Sequence, residues 1–318
     1  CQGQAWPLIW NKKYDACPCA SRGRRFLMEF FVTSQFKTVA LLALLSALII
    51  FLGGMLGGRT GVVIALGLAV LMNVGSYWYS DKIVLSMYRA RELAPEEAPL
   101  LHRMVGELAQ AARVPKPRIC VVPDETPNAF ATGRNPEHGV IAVTEGIMRL
   151  LPPEELRGVL AHEMSHIANR DILIQTVAGV LGSAITAIAN MLQWFAIFGA
   201  GRSSDENGGG LNPLAALFMA ILAPIAATLI QMAISRSREY LADATGARLS
   251  GQPLALAGAL ARLDAYNKQI PMQNYNPATE NMFTVSPLAP GGLAGLFSTH
   301  PPMQERIARL QEMARRGM

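Results

Sequence analysis

The chain has 318 residues, of which 51% are hydrophobic and only 16% are charged, and its formal net charge is +5 at pH 7. Charged residues make up about 25% of an ordinary soluble protein, so this composition argues against two soluble domains and favours a membrane protein with a polar domain. Because the positive charge is modest and forms no basic cluster interleaved with aromatic residues, we expect no nucleic-acid partner.

Long apolar stretches dominate the chain. Residues 1–25 fit no segment that follows, and we treat them as an N-terminal extension of unknown role. Four apolar stretches without Asp, Glu, Lys or Arg follow, and they lie at residues 38–57, 61–79, 172–199 and 214–234. Each has about the 20 residues that a helix needs to cross a bilayer. The sequence therefore predicts about four transmembrane helices, one hairpin within residues 26–80 and a second pair within residues 172–234.

Basic residues flank these stretches on one side of the predicted membrane. Lys37 precedes the first stretch, Lys82 follows the second and Arg236 follows the fourth, whereas the short first turn contains only Arg59. Under the positive-inside rule, both termini and the polar segments face the cytoplasm. We therefore expect a multi-pass membrane protein whose polar part lies on the cytoplasmic side.

The polar segment at residues 81–171 has the pattern of a small α+β unit. Residues 95–114 predict a helix, because their apolar side chains form one stripe. The β-branched runs at residues 119–122 and 140–143 are typical of strands. Residues 127–133 lie between them and predict a further strand or a sheet edge.

The second polar segment, residues 235–318, predicts helices near residues 253–268 and 303–315. Residues 270–297 separate these helices and are rich in Pro, Gly, Asn and Met. A loop of this length is usually either functional or disordered, and gating of a cleft is one function that it allows.

The pentapeptide HEMSH at residues 162–166 is the most informative stretch of the chain. It lies within residues 156–169, where apolar residues recur at helical spacing. Positions four apart lie on one face of a helix, so His162 and His166 can present two imidazoles to one ion. With Glu163 beside them, this is the H-E-x-x-H arrangement of zinc hydrolases, two metal ligands and a carboxylate that takes a proton from the attacking water.

A catalytic zinc ion needs a third protein ligand, and an acidic pair offers one. Glu239 and Asp243 are four residues apart in a predicted helix, so Glu239 can ligate the metal while Asp243 accepts a hydrogen bond from a ligating histidine. The alternative interpretation is a solvated acid pair neutralised by Arg236 and Arg238. The remaining histidines are alternative third ligands: His102, His138 and His300.

Four motifs together resemble a known family: HEMSH before a hydrophobic segment, PNAFATG at residues 127–133, RSREYLADATGA at residues 236–247 and STHPP at residues 298–302. From about residue 26 onward, the chain is similar to the HtpX family of membrane zinc metalloproteases, which are relatives of the CaaX prenyl endopeptidases. The resemblance implies a mainly α membrane protein, with about four transmembrane helices and a small α+β zincin-like catalytic domain. It also implies a bacterial cytoplasmic (inner) membrane location with the catalytic domain facing the cytoplasm.

The resemblance also implies residue roles. One Zn²⁺ per subunit is held by His162, His166 and Glu239, and Glu163 is the catalytic base. His300 faces the site and stabilises the developing oxyanion.

The same resemblance implies where the substrate binds. Arg306 faces the site, and an edge strand pairs its backbone with an extended substrate. That strand consists of Asn128, Ala129, Phe130, Ala131 and Thr132.

These observations predict a membrane-bound zinc endopeptidase that cleaves unfolded or damaged membrane proteins in protein quality control under stress. Its expected partners are the lipid bilayer and polypeptide substrates, and the sequence indicates no particular oligomeric state. Alternatives are a processing protease for a defined lipidated substrate, a non-catalytic membrane zinc scaffold, and a transporter or channel. The transporter is disfavoured because the four apolar stretches contain no ionisable group to mark a pathway.

Overall fold

A computed structural model of the chain describes residues 18–183, 236–269, 277–286 and 301–317. Its first helix, α1 (Pro18–Met87), is kinked where Gly57 and Gly58 leave helical dihedral angles. Gly58 has a φ of 53°, a left-handed conformation that glycine adopts without a steric penalty. These two glycines therefore divide α1 into two helical halves, and the transmembrane hairpin within residues 26–80 stays a prediction.

One helix in the described part of the chain, Gly57–Met87, is long and apolar enough to cross a membrane by length and composition. The third predicted stretch begins with a shorter apolar helix, α5 (Ile172–Ser183). The fourth stretch, residues 214–234, lies outside the described residues. Of the predicted set of about four transmembrane helices, the described residues thus contain one that meets these criteria.

The helix α5 packs against both halves of α1. A small apolar cluster joins Leu173, Val177, Ala178 and Leu181 of α5 to partly buried side chains on each side of the kink. Those side chains are Leu42, Ile49, Met72 and Tyr77. The apolar helices therefore pack on each other next to the polar part of the protein.

The polar part contains a four-stranded sheet in the order β1-β2-β4-β3. The strands are β1 (Arg91–Glu92), β2 (Arg118–Val122), β3 (Ala129–Thr132) and β4 (Val140–Thr144). The central pair β2–β4 is parallel, whereas β1–β2 and β3–β4 are antiparallel. The three predicted strand segments are all strands, and the segment at residues 127–133 supplies the sheet edge.

The two faces of the sheet bury different partners, because side chains alternate along a strand. Ile119, Ile141 and Val143 join the main core with the helices of the polar part. Phe130 and Ala142 point the other way, into a second cluster that contains the end of α1 and Phe283. The sheet is consequently buried on both sides, between the polar helices and the membrane-type helix.

The remaining helices surround the first of these faces. They are α2 (Pro99–Ala112), α3 (Glu145–Leu150), α4 (Pro153–Ala168), α6 (Arg236–Ser250), α7 (Pro253–Gln269) and α8 (Met303–Arg315). Two short 3-10 turns lie at Pro136–His138 and Pro277–Met282. The helix α2 starts later than the predicted residues 95–114. Pro99 occupies its first turn, and Glu97 accepts a hydrogen bond from the Ala94 N–H in a separate turn before it.

Close contact between α4 and α6 determines where the functional groups meet. A Cβ atom built on Gly246 of α6 would lie 2.8 Å from the backbone nitrogen of His162 and 3.0 Å from its Cα. Only glycine allows this approach, because any larger residue would overlap the α4 backbone. The two helices therefore touch at the level of the HEMSH motif.

Candidate metal centre and active site

Helix α4 presents both histidines of the HEMSH motif to the same point in the interior. His162 is 0% exposed and His166 is 3% exposed. Their Nε2 atoms lie 3.2 Å apart, as the four-residue spacing on one helix face predicts. The two imidazoles are thus a buried pair.

Helix α6 places the predicted third ligand opposite this pair. The Glu239 carboxylate lies with Oε2 at 3.6 Å from His162 Nε2 and Oε1 at 3.6 Å from His166 Nε2. The three donor atoms lie within 4.8 Å of one another. Tetrahedral coordination with zinc–nitrogen bonds of about 2.0–2.1 Å puts ligand atoms roughly 3.3 Å apart, so this donor set fits a zinc ion.

Carboxylates behind the imidazoles determine which ring nitrogen faces the centre. His162 Nδ1 lies 2.9 Å from Asp243 Oδ1, and His166 Nδ1 lies 3.1 Å from each carboxylate oxygen of Asp171. When a neutral imidazole carries its proton on the Nδ1 that faces a carboxylate, its Nε2 is left unprotonated and faces the centre. Two Nε2 lone pairs then face each other beside an anionic carboxylate, an arrangement that a cation stabilises.

Asp171 is the member of this set that the sequence reasoning missed. Two residues after the end of α4, Arg170 takes a left-handed conformation with a φ of 58°. The backbone N–H of Asp171 then bonds to the carbonyl of His166 at 3.2 Å, and that of Arg170 bonds to the carbonyl of Ile167. This pair of bonds is the Schellman turn, which folds the chain back so that the Asp171 side chain meets the ring of His166. The available signal was an acidic residue just after the helix end.

Arg306 of α8 lies behind the site and contacts its acidic groups. Its Nε and Nη2 atoms each donate to Asp243 at 2.7 Å, its Nη1 atom donates to the carbonyl of Thr284 at 2.9 Å, and the side chain is fully buried. Burial alone raises the pKa of the Asp243 carboxyl, but Arg306 outweighs burial and holds that pKa below its usual range. The guanidinium therefore keeps Asp243 ionised beside His162 Nδ1.

The charges of the site are unbalanced. In the part of the chain that the structure describes, the buried charged groups around the imidazoles are four carboxylates, Glu163, Asp171, Glu239 and Asp243, and two guanidinium groups, Arg238 and Arg306. Four negative and two positive groups leave a formal charge of −2 when both imidazoles are neutral. Burial disfavours protonation of His162, but the neighbouring carboxylates of Asp243 and Glu239 outweigh burial and raise its pKa to about 10, as uncompensated negative charge does. Because buried charge must be compensated, a divalent cation matches this site in charge as well as in donor atoms.

Glu163 lies on α4 between the two histidines and is 1% exposed. Its Oε1 atom accepts a hydrogen bond of 2.5 Å from the hydroxyl of Thr284. Among the described residues, no group bonds to its other oxygen, Oε2. The carboxylate therefore has one oxygen directed at the segment around Thr284 and one oxygen available as a base.

The predicted substrate strand forms the edge strand β3, but another part of the chain covers its outer side. Asn128 and Thr132 are 0% exposed, and Phe130 is 1% exposed. Phe130 forms an antiparallel bridge with Phe283, and the N–H of Thr284 donates to the carbonyl of Ala129 at 3.0 Å. The substrate-binding roles of residues 128–132 and Arg306 stay predictions, and His300 lies outside the described residues.

The geometry defines a mainly helical protein with a small sheet and a buried His₂Glu metal-type site next to a membrane-type helix. The sequence matches the model of Peptidase family M48 over residues 95–314. It is 55% identical over 280 residues to a "Protease HtpX homolog" of Syntrophobacter fumaroxidans, covering 88% of this chain and 99% of that relative. A relative of the same name from Pyrococcus furiosus is 54% identical over 278 residues, covering 87% and 95%.

The chain belongs to peptidase family M48, so the resemblance found from the four motifs is confirmed. It is a membrane-associated metallopeptidase, a hydrolase of polypeptides. A crystal structure of S. mikatae Ste24p is similar at 18% sequence identity and a TM-score of 0.46, covering 89% of this chain and 67% of that chain.

Proposed function

We propose that the chain is a zinc-dependent endopeptidase with His162, His166 and Glu239 as the ligands of one Zn²⁺ and Glu163 as the catalytic base. The observation that carries this proposal is the convergence of two Nε2 atoms and one carboxylate at mutual distances of 3.2 and 3.6 Å. The donor types and the charge deficit of the site both match a divalent cation of borderline softness.

When bound, zinc polarises the scissile carbonyl and makes water a stronger acid. Asp243 and Asp171 hold the two imidazoles in the tautomer that directs Nε2 inward, and Arg306 keeps Asp243 ionised. Glu163 takes a proton from the attacking water and passes it to the leaving amine. His300 is proposed to stabilise the developing oxyanion. No covalent bond between enzyme and substrate is needed.

The proposed setting is a bacterial cytoplasmic membrane, with several spans and the active site at its cytoplasmic surface. Support comes from Asp171, which contacts His166 and immediately precedes α5, the start of a predicted span. Its carbonyl accepts a hydrogen bond from the Gln175 N–H in the first turn of that helix. The proposed substrates are unfolded or damaged polypeptides, including membrane proteins. Pairing of a substrate with the edge strand β3 would support this class of substrates, because such pairing recognises an extended backbone more than particular side chains.

The test compares the full-length protein with Glu163→Gln in detergent, measuring bound zinc and the cleavage of an unfolded protein. We expect unchanged zinc content and a rate that falls by about 10²- to 10⁴-fold, the usual worth of a general base. Undiminished cleavage by Glu163→Gln would disprove the base assignment, and full zinc occupancy in Glu239→Ala would disprove the third ligand. Zinc binding without turnover by the natural protein would instead favour a scaffold.

A further inference from the structure

Residues 283–285, which we term the resident strand, lie against the metal site and along the outer edge of β3. Phe283 pairs with Phe130 as the antiparallel bridge. The three residues of the resident strand are 1% to 3% exposed. The strand thus extends the four-stranded sheet by a short fifth segment at the edge where a substrate is predicted to pair.

The backbone N–H and C=O groups of both residues that follow Phe283, Thr284 and Val285, are hydrogen-bonded to groups around the site. The N–H of Thr284 donates to the carbonyl of Ala129 at 3.0 Å, and its carbonyl accepts from Arg306 Nη1 at 2.9 Å. The N–H of Val285 donates to Asn128 Oδ1 at 3.4 Å, and its carbonyl accepts from Asn128 Nδ2 at 2.8 Å. None of these four contacts involves the side chain of residue 284 or 285. Any extended polypeptide can therefore replace them.

The side chain of Thr284 connects this backbone to the proposed chemistry. Its hydroxyl donates to Glu163 Oε1 at 2.5 Å and lies 3.1 Å from the carbonyl oxygen of Ala129. A substrate aligned along β3 would bring its own backbone to the same acceptors and toward the same carboxylate. The resident strand and an extended substrate thus compete for one set of groups.

We propose that the resident strand is a built-in pseudosubstrate, which occupies the substrate-binding edge at rest and leaves it before a polypeptide binds. The proposal rests on the proposed function, because it takes Glu163 as the base and β3 as the binding edge. A ligand that binds only the opened fraction of molecules has its affinity reduced by that fraction. The competing explanation is a permanent fifth strand whose Thr284 holds Glu163 in place for catalysis.

A reversible cross-link separates the two explanations. Residues 130 and 283 are direct partners in the antiparallel bridge, and the bond from the Thr284 N–H to the Ala129 carbonyl makes them the closely spaced, non-hydrogen-bonded kind of pair. The double variant Phe130→Cys, Phe283→Cys is therefore suited to a disulfide. Cleavage of an unfolded protein is measured on one full-length, zinc-loaded preparation, first oxidised and then reduced with a phosphine. The single variant Phe283→Cys receives the same treatment as a control for the native cysteines.

We expect the oxidised double variant to cleave at least tenfold more slowly than its own reduced form, while zinc content is equal in both. Equal rates in the two forms would overturn the proposal, because a strand that must leave cannot act while it is cross-linked. This outcome is distinct from failure of the proposed function, in which Glu163→Gln would cleave as fast as the natural protein.

Thr284→Val gives a second measurement that keeps the test decisive if the reduced double variant is itself inactive. Valine retains the shape of threonine but cannot donate to Glu163. If the resident strand is a pseudosubstrate, Thr284→Val holds it less tightly, and we expect kcat/KM to rise severalfold at unchanged zinc content. A fall in kcat, or no change, would overturn the proposal, since a positioning threonine predicts a fall and an inert strand predicts no change.

Discussion

The helix Gly57–Met87 and the helix pair α4–α6 are built in opposite ways. Along Gly57–Met87, large apolar side chains such as Val63 and Leu71, each 69% exposed, point outward. Between α4 and α6, charged side chains point inward, and Glu163 and Asp243 are 1% and 3% exposed. The first region has a surface suited to hydrocarbon, whereas the second has an interior filled with ionisable groups.

This inversion shows that each region depends on something other than an apolar core. Outward apolar side chains are stable only where the surrounding medium is itself apolar. Inward charges are stable only where each has a partner of opposite sign or a metal. The two regions should therefore respond to different substitutions. Removal of a charged partner should affect α4–α6, whereas a charge placed on an outward apolar position should affect Gly57–Met87.

The largest expected effect comes from removing the partner of a buried carboxylate. Arg306→Met leaves Asp243 without the two 2.7 Å bonds from the guanidinium, so we expect a loss of about 3–5 kcal/mol in the free energy of unfolding. Chemical denaturation of the full chain in detergent measures this loss. Arg315→Met in the same helix is the control, because the Arg315 side chain is 76% exposed and its pair with Glu312 contributes at most about 1 kcal/mol. Equal effects of the two variants would contradict the assigned pairing.

The next largest effect is expected for a charge placed on Gly57–Met87, and it tests whether hydrocarbon surrounds this helix. Leu68 in this helix and Leu100 in α2 are exposed to the same degree, 47% and 48%. Leu68→Lys places a charge near the middle of the predicted span, at a cost of about 2.5–3.5 kcal/mol in the apparent free energy of membrane insertion. Leu100→Lys should change the unfolding free energy by no more than about 0.5 kcal/mol, as surface substitutions do. An insertion assay that found Leu68→Lys neutral would argue that this helix does not cross hydrocarbon.

A smaller effect is expected where α4 and α6 touch. Gly246→Ala adds a Cβ only 2.8 Å from the backbone nitrogen of His162, so the helices must separate at a cost of about 1–3 kcal/mol and with weaker zinc binding. Gly106→Ala in α2 is the matched control, because its Cβ would meet no described atom within 4 Å. That variant should gain about 0.5–1 kcal/mol from the stiffer backbone. Denaturation and zinc titration of both proteins measure the contrast, and unaltered zinc affinity in Gly246→Ala would contradict the packing argument.

Much of this arrangement could be predicted from local patterns in the sequence. Periodicity is a local property, so it found the strands at residues 118–122 and 140–144 and the helix at residues 303–315. The spacing of His162 and His166 likewise determines a helix face without any tertiary information. Glu239 was found because a zinc site needs a third donor, although 72 residues separate it from the second histidine.

The parts that could not be predicted depend on contacts between distant segments. Nothing in the sequence near Thr284 indicates that its backbone pairs with β3, since that pairing joins residues 155 positions apart. The bidentate contact of Arg306 with Asp243 likewise depends on how α8 packs against α6. Asp171 lies between these two kinds of feature. The turn that orients its side chain is local in sequence, but its role as an acceptor is recognised only once His166 is taken as a metal ligand.

Asp171 therefore gives the most specific test, because one atom type changes and one ligand is affected. Asp171→Asn keeps the size of the side chain but replaces the carboxylate that contacts His166 Nδ1 at 3.1 Å with a neutral amide. Because the carboxylate both fixes the tautomer and makes the imidazole a better donor, we expect zinc affinity to fall by about 10- to 100-fold. Competition with a chelator measures the affinity, and Asp81→Asn, which alters a carboxylate paired with Arg118, should leave it unchanged. A change of less than about twofold in Asp171→Asn would mean that α4 and α6 alone orient the ligands. A 10- to 100-fold loss of zinc affinity would show that the turn after α4, where the predicted span begins, contributes to metal binding.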